Sequence, residues 1–464
     1  MVIMKREGFY IAFLQCLIVL VIIAAPIAAQ KKDKDLAKKL NDQADKAVTA
    51  KNFREAIDLY TQSLAIQPTN NNAHYRKGFA HFSLKENDLA IQEFTLALNQ
   101  GFKPPLEIYR VRYYIYFEQN NYNAALADIQ KGLQLAPNDL NFLSAVGEIN
   151  YARKSYPEAL AAFQKASVAA PTNADIFYNL ARVYFAMGNT KGQAEAAASA
   201  LAKGTRFPGE TFYLLADANQ KLNNTAGAID AYQRAISSKP ELYQAYRNLA
   251  ELFHRENRAN DAIAVLKQGQ KQFVNDGNFF TDLSMFYSLA DRPKDAVDAA
   301  RAGVAILPND ARPYTNLCRA YNDTKDFNGA VSACNSALRL NPGDGETYFY
   351  LGRAYSQADR PTEATRFYSQ AVTGLVDSTN KNPDSYELWY LLGNAYFTDN
   401  QRDKAIVAYQ KCLALSPKFK KARYNLGIIY TRQKNKAAAL EQQAALIPLD
   451  PKLADALKAE IDKM

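Results

Sequence analysis

A small residue returns every 34 or 35 positions along most of this chain: Ala56, Ala90, Ala125, Ala159, Ala228, Ala262, Ala296, Ala330, Ala364, Ala405 and Ala439. Two intervals depart. The gap from Ala159 to Ala228 holds one divergent unit, with Gln193 at the expected place, and the step from Ala364 to Ala405 is seven residues too long. Length alone, 464 residues, would suggest about three unrelated domains, but a sustained period of this size overrides that division. A second column runs twelve positions earlier: Ala44, Gly78, Tyr113, Gly147, Ala181, Ala216, Ala250, Ser284, Cys318, Gly352, Gly393 and Gly427. Aromatic residues precede that column by four in the better units, as at Phe177, Tyr246, Tyr314 and Trp389. Prolines at 68, 137, 171, 240, 308, 342, 417 and 451 mark the unit ends.

The spacing predicts two antiparallel helices per unit. Within each half, apolar residues fall three and four apart, as in Trp389, Leu392, Gly393 and Tyr396. Turn formers such as Asp399-Asn400 and Gly188-Asn189 separate the halves. Small side chains at one level on both helices let the backbones approach, and aromatics above and below fill the space between pairs. Proline closes the second helix because it cannot continue one. A single hairpin cannot bury its apolar face, so the units must stack, and residues 454–464 are expected to cap the last one.

Trp389, Leu392, Gly393, Tyr396, Ala405, Tyr409 and Pro417 together resemble the tetratricopeptide repeat, over about nine-tenths of the residues beyond the N-terminal segment. The resemblance implies an all-α fold, a right-handed superhelical α-solenoid of about twelve helix pairs over residues 37–453. Its first helices would line a concave groove. Tyr113, Gln193 and the polar stretch Thr379–Ser385, read as an inserted loop, depart from the pattern.

Residues 1–29 are different in kind. Lys5 and Arg6 precede an apolar run from Phe9 to Ala25, and Pro26-Ile27-Ala28-Ala29 leads into polar sequence. This reads as a secretory signal cut after Ala29, with an uncleaved inner-membrane anchor facing the periplasm as the alternative. Export to a periplasm or the extracellular space follows in either case. Residues 30–36, rich in Lys and Asp, read as a polar linker. Cys318, Cys334 and Cys412 lie beyond the segment. Cys318 and Cys334 share one unit, but the register sets Cys318 opposite Ala330 and leaves Cys334 about one turn, roughly 5 Å, further along. A bridge would then need a displaced backbone, so the pairing stays open and three buried thiols are the plainer expectation.

No catalytic constellation is visible. His74 and His81 stand two turns apart with no cysteine near them, and His254 is alone. No phosphate loop, His-Glu-x-x-His pair or nucleophile elbow occurs, so neither enzyme activity, metal nor cofactor is expected. The net charge of +9 is a mild bias, far from a nucleic-acid signature.

Under the resemblance, the residues pointing into the groove are Tyr75, Arg110, Tyr178, Tyr213, Arg247, Phe349, Tyr390 and Tyr424. The next positions supply Asn179, Asn248, Asn316 and Asn425, and one turn on stand Arg182, Arg319, Arg353 and Asn394. Tyrosine offers apolar area with a hydroxyl, asparagine can bond a peptide's N–H and C=O, and arginine can pair with carboxylates. Such a set suits an extended, acidic polypeptide, and equally occurs in this repeat whatever the ligand. The lysine–asparagine clamp that some such proteins place on a chaperone tail is missing: the matching pairs are Tyr178 with Arg182, Arg247 with Glu251, and Tyr390 with Asn394. The expectation is a non-catalytic scaffold that binds a protein or extended peptide, serving secretion, pilus or polysaccharide assembly. A binder of anionic polymer or membrane surface, or a regulatory subunit of a separate enzyme, is the alternative.

Overall fold

The structure, a computed structural model, describes residues 30–256 and 258–464. The expected export segment, 1–29, lies outside the described residues. Among those described there is no strand, and each helix packs on its neighbour in sequence within two compact units, Met1–Asn189 and Thr190–Met464. This is the expected all-α solenoid of paired helices.

The first unit holds α1 (residues 30–49), α2 (Phe53–Ile66), α3 (Asn71–Ser83), α4 (Asn87–Asn99) and α5 (Leu106–Glu118). It continues with α6 (Tyr122–Leu135), α7 (Leu140–Ala152), α8 (Tyr156–Ala169) and α9 (Ala174–Met187). The second unit begins with α10 (Thr190–Ala202), α11 (Pro208–Lys221), α12 (Thr225–Ser238), α13 (Tyr243–Arg255) and α14 (Ala259–Gln272). Next come α15 (Gly277–Leu289), α16 (Pro293–Ile306), α17 (Ala311–Asp323), α18 (Phe327–Leu340) and α19 (Gly345–Gln357). It closes with α20 (Pro361–Lys381), α21 (Tyr386–Thr398), α22 (Arg402–Leu415), α23 (Lys420–Arg432), α24 (Lys436–Leu446) and α25 (Pro451–Ile461).

The two small-residue columns are the contact line within each pair. Ala56, Ala90, Ala159, Ala228, Ala330 and Ala405 have no exposed surface. Four residues after the alanine comes a ring, and it lies over the small residue of the facing helix. A Cβ added at Gly78 would sit 2.9 Å from the Phe94 ring, at Gly147 2.5 Å from Phe163, at Gly352 2.8 Å from Tyr368 and at Gly393 2.6 Å from Tyr409. Glycine stands there because the ring already occupies the space a side chain would need. The turns inside the pairs place one residue in the left-handed region, at Gly188 (φ 71°), Asn400 (φ 60°) and Lys325 (φ 65°) among others. Seven of the eight prolines fall just past a second helix, two residues beyond its last turn, whereas Pro451 opens α25. The cap thus starts at Pro451, three residues earlier than expected, with the Asp450 side chain accepting from the Leu453 N–H.

Three expectations are corrected. The seven extra residues near 379–385 are not an inserted loop: α20 runs 21 residues, against 14 in α18, so most of the excess becomes two further helical turns. Nothing in Asp377-Ser378-Thr379-Asn380-Lys381 breaks a helix, and Lys381 pairs with Asp377 one turn back at 2.6 Å. Residues 30–36 are likewise helical, the exposed first turns of α1. Finally, Cys318 and Cys334 are joined in a disulfide with their Cα atoms 5.2 Å apart, and Cys412 is free and buried. The one-turn offset is real, but Cα–Cβ bonds lean toward each helix's own N-terminus. In an antiparallel pair that lean brings these two side chains toward one another, so no backbone shift is needed.

Candidate functional site

In the first unit, one cluster gathers sequence-nominated residues. Arg182 on α9 donates to Asn179 Oδ1 at 2.8 Å and pairs with Glu148 of α7 at 3.2 Å. Its guanidinium lies 4.4 Å from the Tyr151 ring centroid and 5.6 Å from that of Tyr178. Tyr75 and Arg110 stand elsewhere. The Tyr75 ring stacks on Phe102 at 4.4 Å, which gives it a packing role, and Arg110 is held by Asp139 at 2.5 Å and by Glu107. His74, expected to pack, is buried, and its two ring nitrogens meet Glu93 and the Pro68 carbonyl at 2.6 and 3.1 Å.

The second unit contains a cavity of about 620 Å³, within the range of sites that enclose a drug-sized group or a few residues. Six nominated residues line it: Arg319, Phe349, Arg353, Tyr390, Asn394 and Asn425. They come from α17, α19, α21 and α23, successive first helices, so the period that repeats the sequence also stacks these side chains on one wall. Leu391, Phe397, Tyr409 and Ile428 supply apolar surface. Charge comes from Arg319, Arg353 and Lys421, facing Asp291 and Asp323. Arg353 pairs with Asp323 at 2.9 Å and Lys421 with Asp291 at 3.5 Å. Arg319 is only 9% exposed; its guanidinium meets Glu346 at 3.9 Å and lies 5.7 Å from the Tyr350 ring, while its buried Nε has no partner. Burial pushes the Tyr350 hydroxyl up, so it stays a neutral donor facing the cavity.

The remaining nominated residues serve the stack itself. Asn248 Nδ2 donates to the hydroxyls of Tyr213 and Tyr232 at 3.2 and 3.3 Å, and Asn316 Nδ2 to the Thr281 carbonyl at 2.9 Å. Asn425 Nδ2 donates to Asn394 Oδ1 at 2.9 Å, and Asn394 Oδ1 also accepts from Tyr409 at 2.6 Å. These asparagines hold neighbouring helices together, so little of their bonding capacity is left for a peptide. Arg247 is held by Asp282 at 2.5 Å, and Tyr424 packs against the core under the cap.

The chain also returns on itself within this unit. The end of α13 meets the start of α21 and the link to α23, 130 to 160 residues away. His254 stacks on Tyr386 at 6.3 Å and meets Phe419 edge-on at 6.1 Å. The Arg255 guanidinium stands 5.3 Å from the Tyr386 ring centroid, and Lys418 pairs with Glu256 at 2.6 Å. Sequence reading missed this seam, along with Asp291, Asp323 and Lys421. No local pattern encodes it, because each side looks like an ordinary repeat position.

Comparison with known families agrees with the architecture. Family models described as TPR repeat or tetratricopeptide repeat match residues 41–104, 114–139, 147–188, 213–273 and 386–419. Among solved structures, the chain is similar to a crystal structure of MamA protein, at 20% identity and a TM-score of 0.32, over 38% of this chain and 95% of that one. It is also similar to the crystal structure of yeast Tom70, at 14% identity and a TM-score of 0.37, over 92% and 96%. No curated protein matches the chain. The chain carries tetratricopeptide repeats, and these support a protein-interaction scaffold.

Proposed function

We propose that the chain is an exported scaffold that acts by binding rather than catalysis, and that its second unit grips a short segment of a protein partner in the 620 Å³ cavity. The observation that carries this reading is the convergence of six side chains, nominated from sequence, on one cavity that mixes aromatic walls with charged groups. Such a wall suits a segment that buries apolar side chains and offers a carboxylate to Arg319 or Arg353. The Arg182 cluster on the first unit is a second contact surface of the same chemistry. A polyanion is a poorer fit, because Arg110, Arg182, Arg247 and Arg353 each already pair with a carboxylate within 3.2 Å. The disulfide supports an oxidising compartment, in keeping with the sequence of residues 1–29. Accessory work in secretion, pilus or polysaccharide assembly is the role proposed.

Affinity selection tests it. Peptides selected from a random displayed library on residues 30–464 should lose at least about tenfold in affinity with Arg353→Ala/Asn394→Ala. Binding should persist from low to moderate salt, as it would not for a polyanion. Peptides that bind equally well after both substitutions would place the binding surface outside the cavity.

A further inference from the structure

We propose that the seam between α13 and α21 is a latch that regulates access to this cavity, closed in acid and released as pH rises. The inference deepens the binding role and rests on the cavity being the partner site. Its geometry stands on its own. Lys421 and Asp291 line the cavity and also bridge the seam, so separating the seam widens the cavity mouth. The seam buries Tyr386 completely and Phe419 nearly so, which makes it a built interface and not a surface brush. It also encloses polar atoms without partners: His254 Nε2 and the Tyr386 hydroxyl are both buried and unbonded. A seam selected only to stay shut would satisfy those groups or replace them with apolar ones.

The titratable cluster sits on both sides. From α13 come Glu251, His254, Arg255 and Glu256; from α21, Tyr386 and Glu387; from α22, Cys412; from the α22–α23 link and α23, Lys418, Lys420 and Lys421; and from the turn after α15, Asp291. Lys420 also pairs with Asp450 at 2.7 Å. Arg255 is bound to Glu251 at 2.9 Å, which leaves Glu387 without a cation of its own. Burial, and then the Glu251 carboxylate, push the Glu387 carboxyl up to about 7 from its ordinary 4.5. Burial holds His254 neutral and keeps the Tyr386 and Cys412 protons in place, so the carboxylate pair is the group that changes.

The sign follows from linkage. The closed seam favours the protonated carboxyl, so closure is most favourable below 4.5 and loses ground as pH rises to about 7. Above that the loss is complete, on the order of 100-fold in the closed-to-open ratio. Deprotonation leaves two carboxylates sharing one guanidinium inside the seam, and separation restores their water.

Spin labels on Asn260→Cys and Ala414→Cys in the chain 30–464, read by double electron–electron resonance, test the latch without any partner. The native cysteines are bonded or buried and stay unlabelled. A single short distance at pH 5.5 should give way to a longer population at pH 8.0, and Glu387→Gln should keep the short distance at both. A distribution unchanged with pH, or an undiminished response in Glu387→Gln, overturns the proposal. Glu251→Gln is a second probe: it should move the transition toward lower pH, and an unmoved midpoint counts equally against the latch. Because no peptide is present, a cavity that binds nothing would end the partner reading and leave the latch result standing.

Discussion

The closest approach of two backbones in the second unit makes a sharp test, because propensity and packing predict opposite signs. Gly345 opens α19 and Gly374 lies inside α20. An added Cβ at Gly374 would stand 2.7 Å from both the Cα and N of Gly345, and one at Gly345 only 2.4 Å from the Leu375 N. Those obstacles are main chain, which cannot rotate aside as a ring can. On helix propensity alone, Gly374→Ala should stabilise by about 0.5–1 kcal/mol. The contact requires the helices to separate by roughly 1 Å to restore ordinary spacing. That loosens Ala371, Leu375 and Thr347, all without exposed surface, and overpacking of this kind costs about 1–3 kcal/mol. The net expectation is a loss of about 1–2 kcal/mol, the cost of overpacking less the gain in propensity. Gly345→Ala should behave alike, and the double variant should lose less than the sum, since the first substitution already parts the helices. Gly343→Ala is the control, with no atom within 4 Å of its Cβ, and should stay within about 0.5 kcal/mol. Urea midpoints at constant slope measure all four. A Gly374→Ala midpoint at or above the parent's would refute the close-approach argument.

Further outcomes are expected. Ala405→Leu should cost about 1–3 kcal/mol by overpacking the α21–α22 crossing under Tyr409, and an unchanged thermal midpoint would show that register to be wrong. Replacing Tyr178, Asn179 and Arg182 together should weaken partner binding through the first unit while circular dichroism keeps its helical signal. The Lys420 hydrogen bond holds the Asp450 carboxyl below its usual 3.8, so its support of the cap is present above that value and is lost as pH falls through the lowered one. Amide exchange in α25 should therefore rise in acid before that in α17, and Asp450→Asn should remove the difference.

The sequence by itself determined the helix pairs, their turns and their contact line. That is because each pair touches mainly its neighbours, so the Ala–Gly columns and the ring four residues on state the whole local packing problem. It also nominated six of the cavity's lining residues, since equivalent positions of successive first helices must fall on one wall. Tertiary structure decided the rest. The asparagines turned inward to bond Tyr213, Thr281 and Asn394 because those acceptors lie a full unit away in sequence. The Cys318–Cys334 bridge depended on the lean of two Cα–Cβ bonds, finer than any register count. The seam of His254, Tyr386, Glu387 and Phe419 depended on rotation accumulated over four helix pairs. Each pair adds a small angle that no single repeat spells out, and only their sum brings residues 130 positions apart into contact.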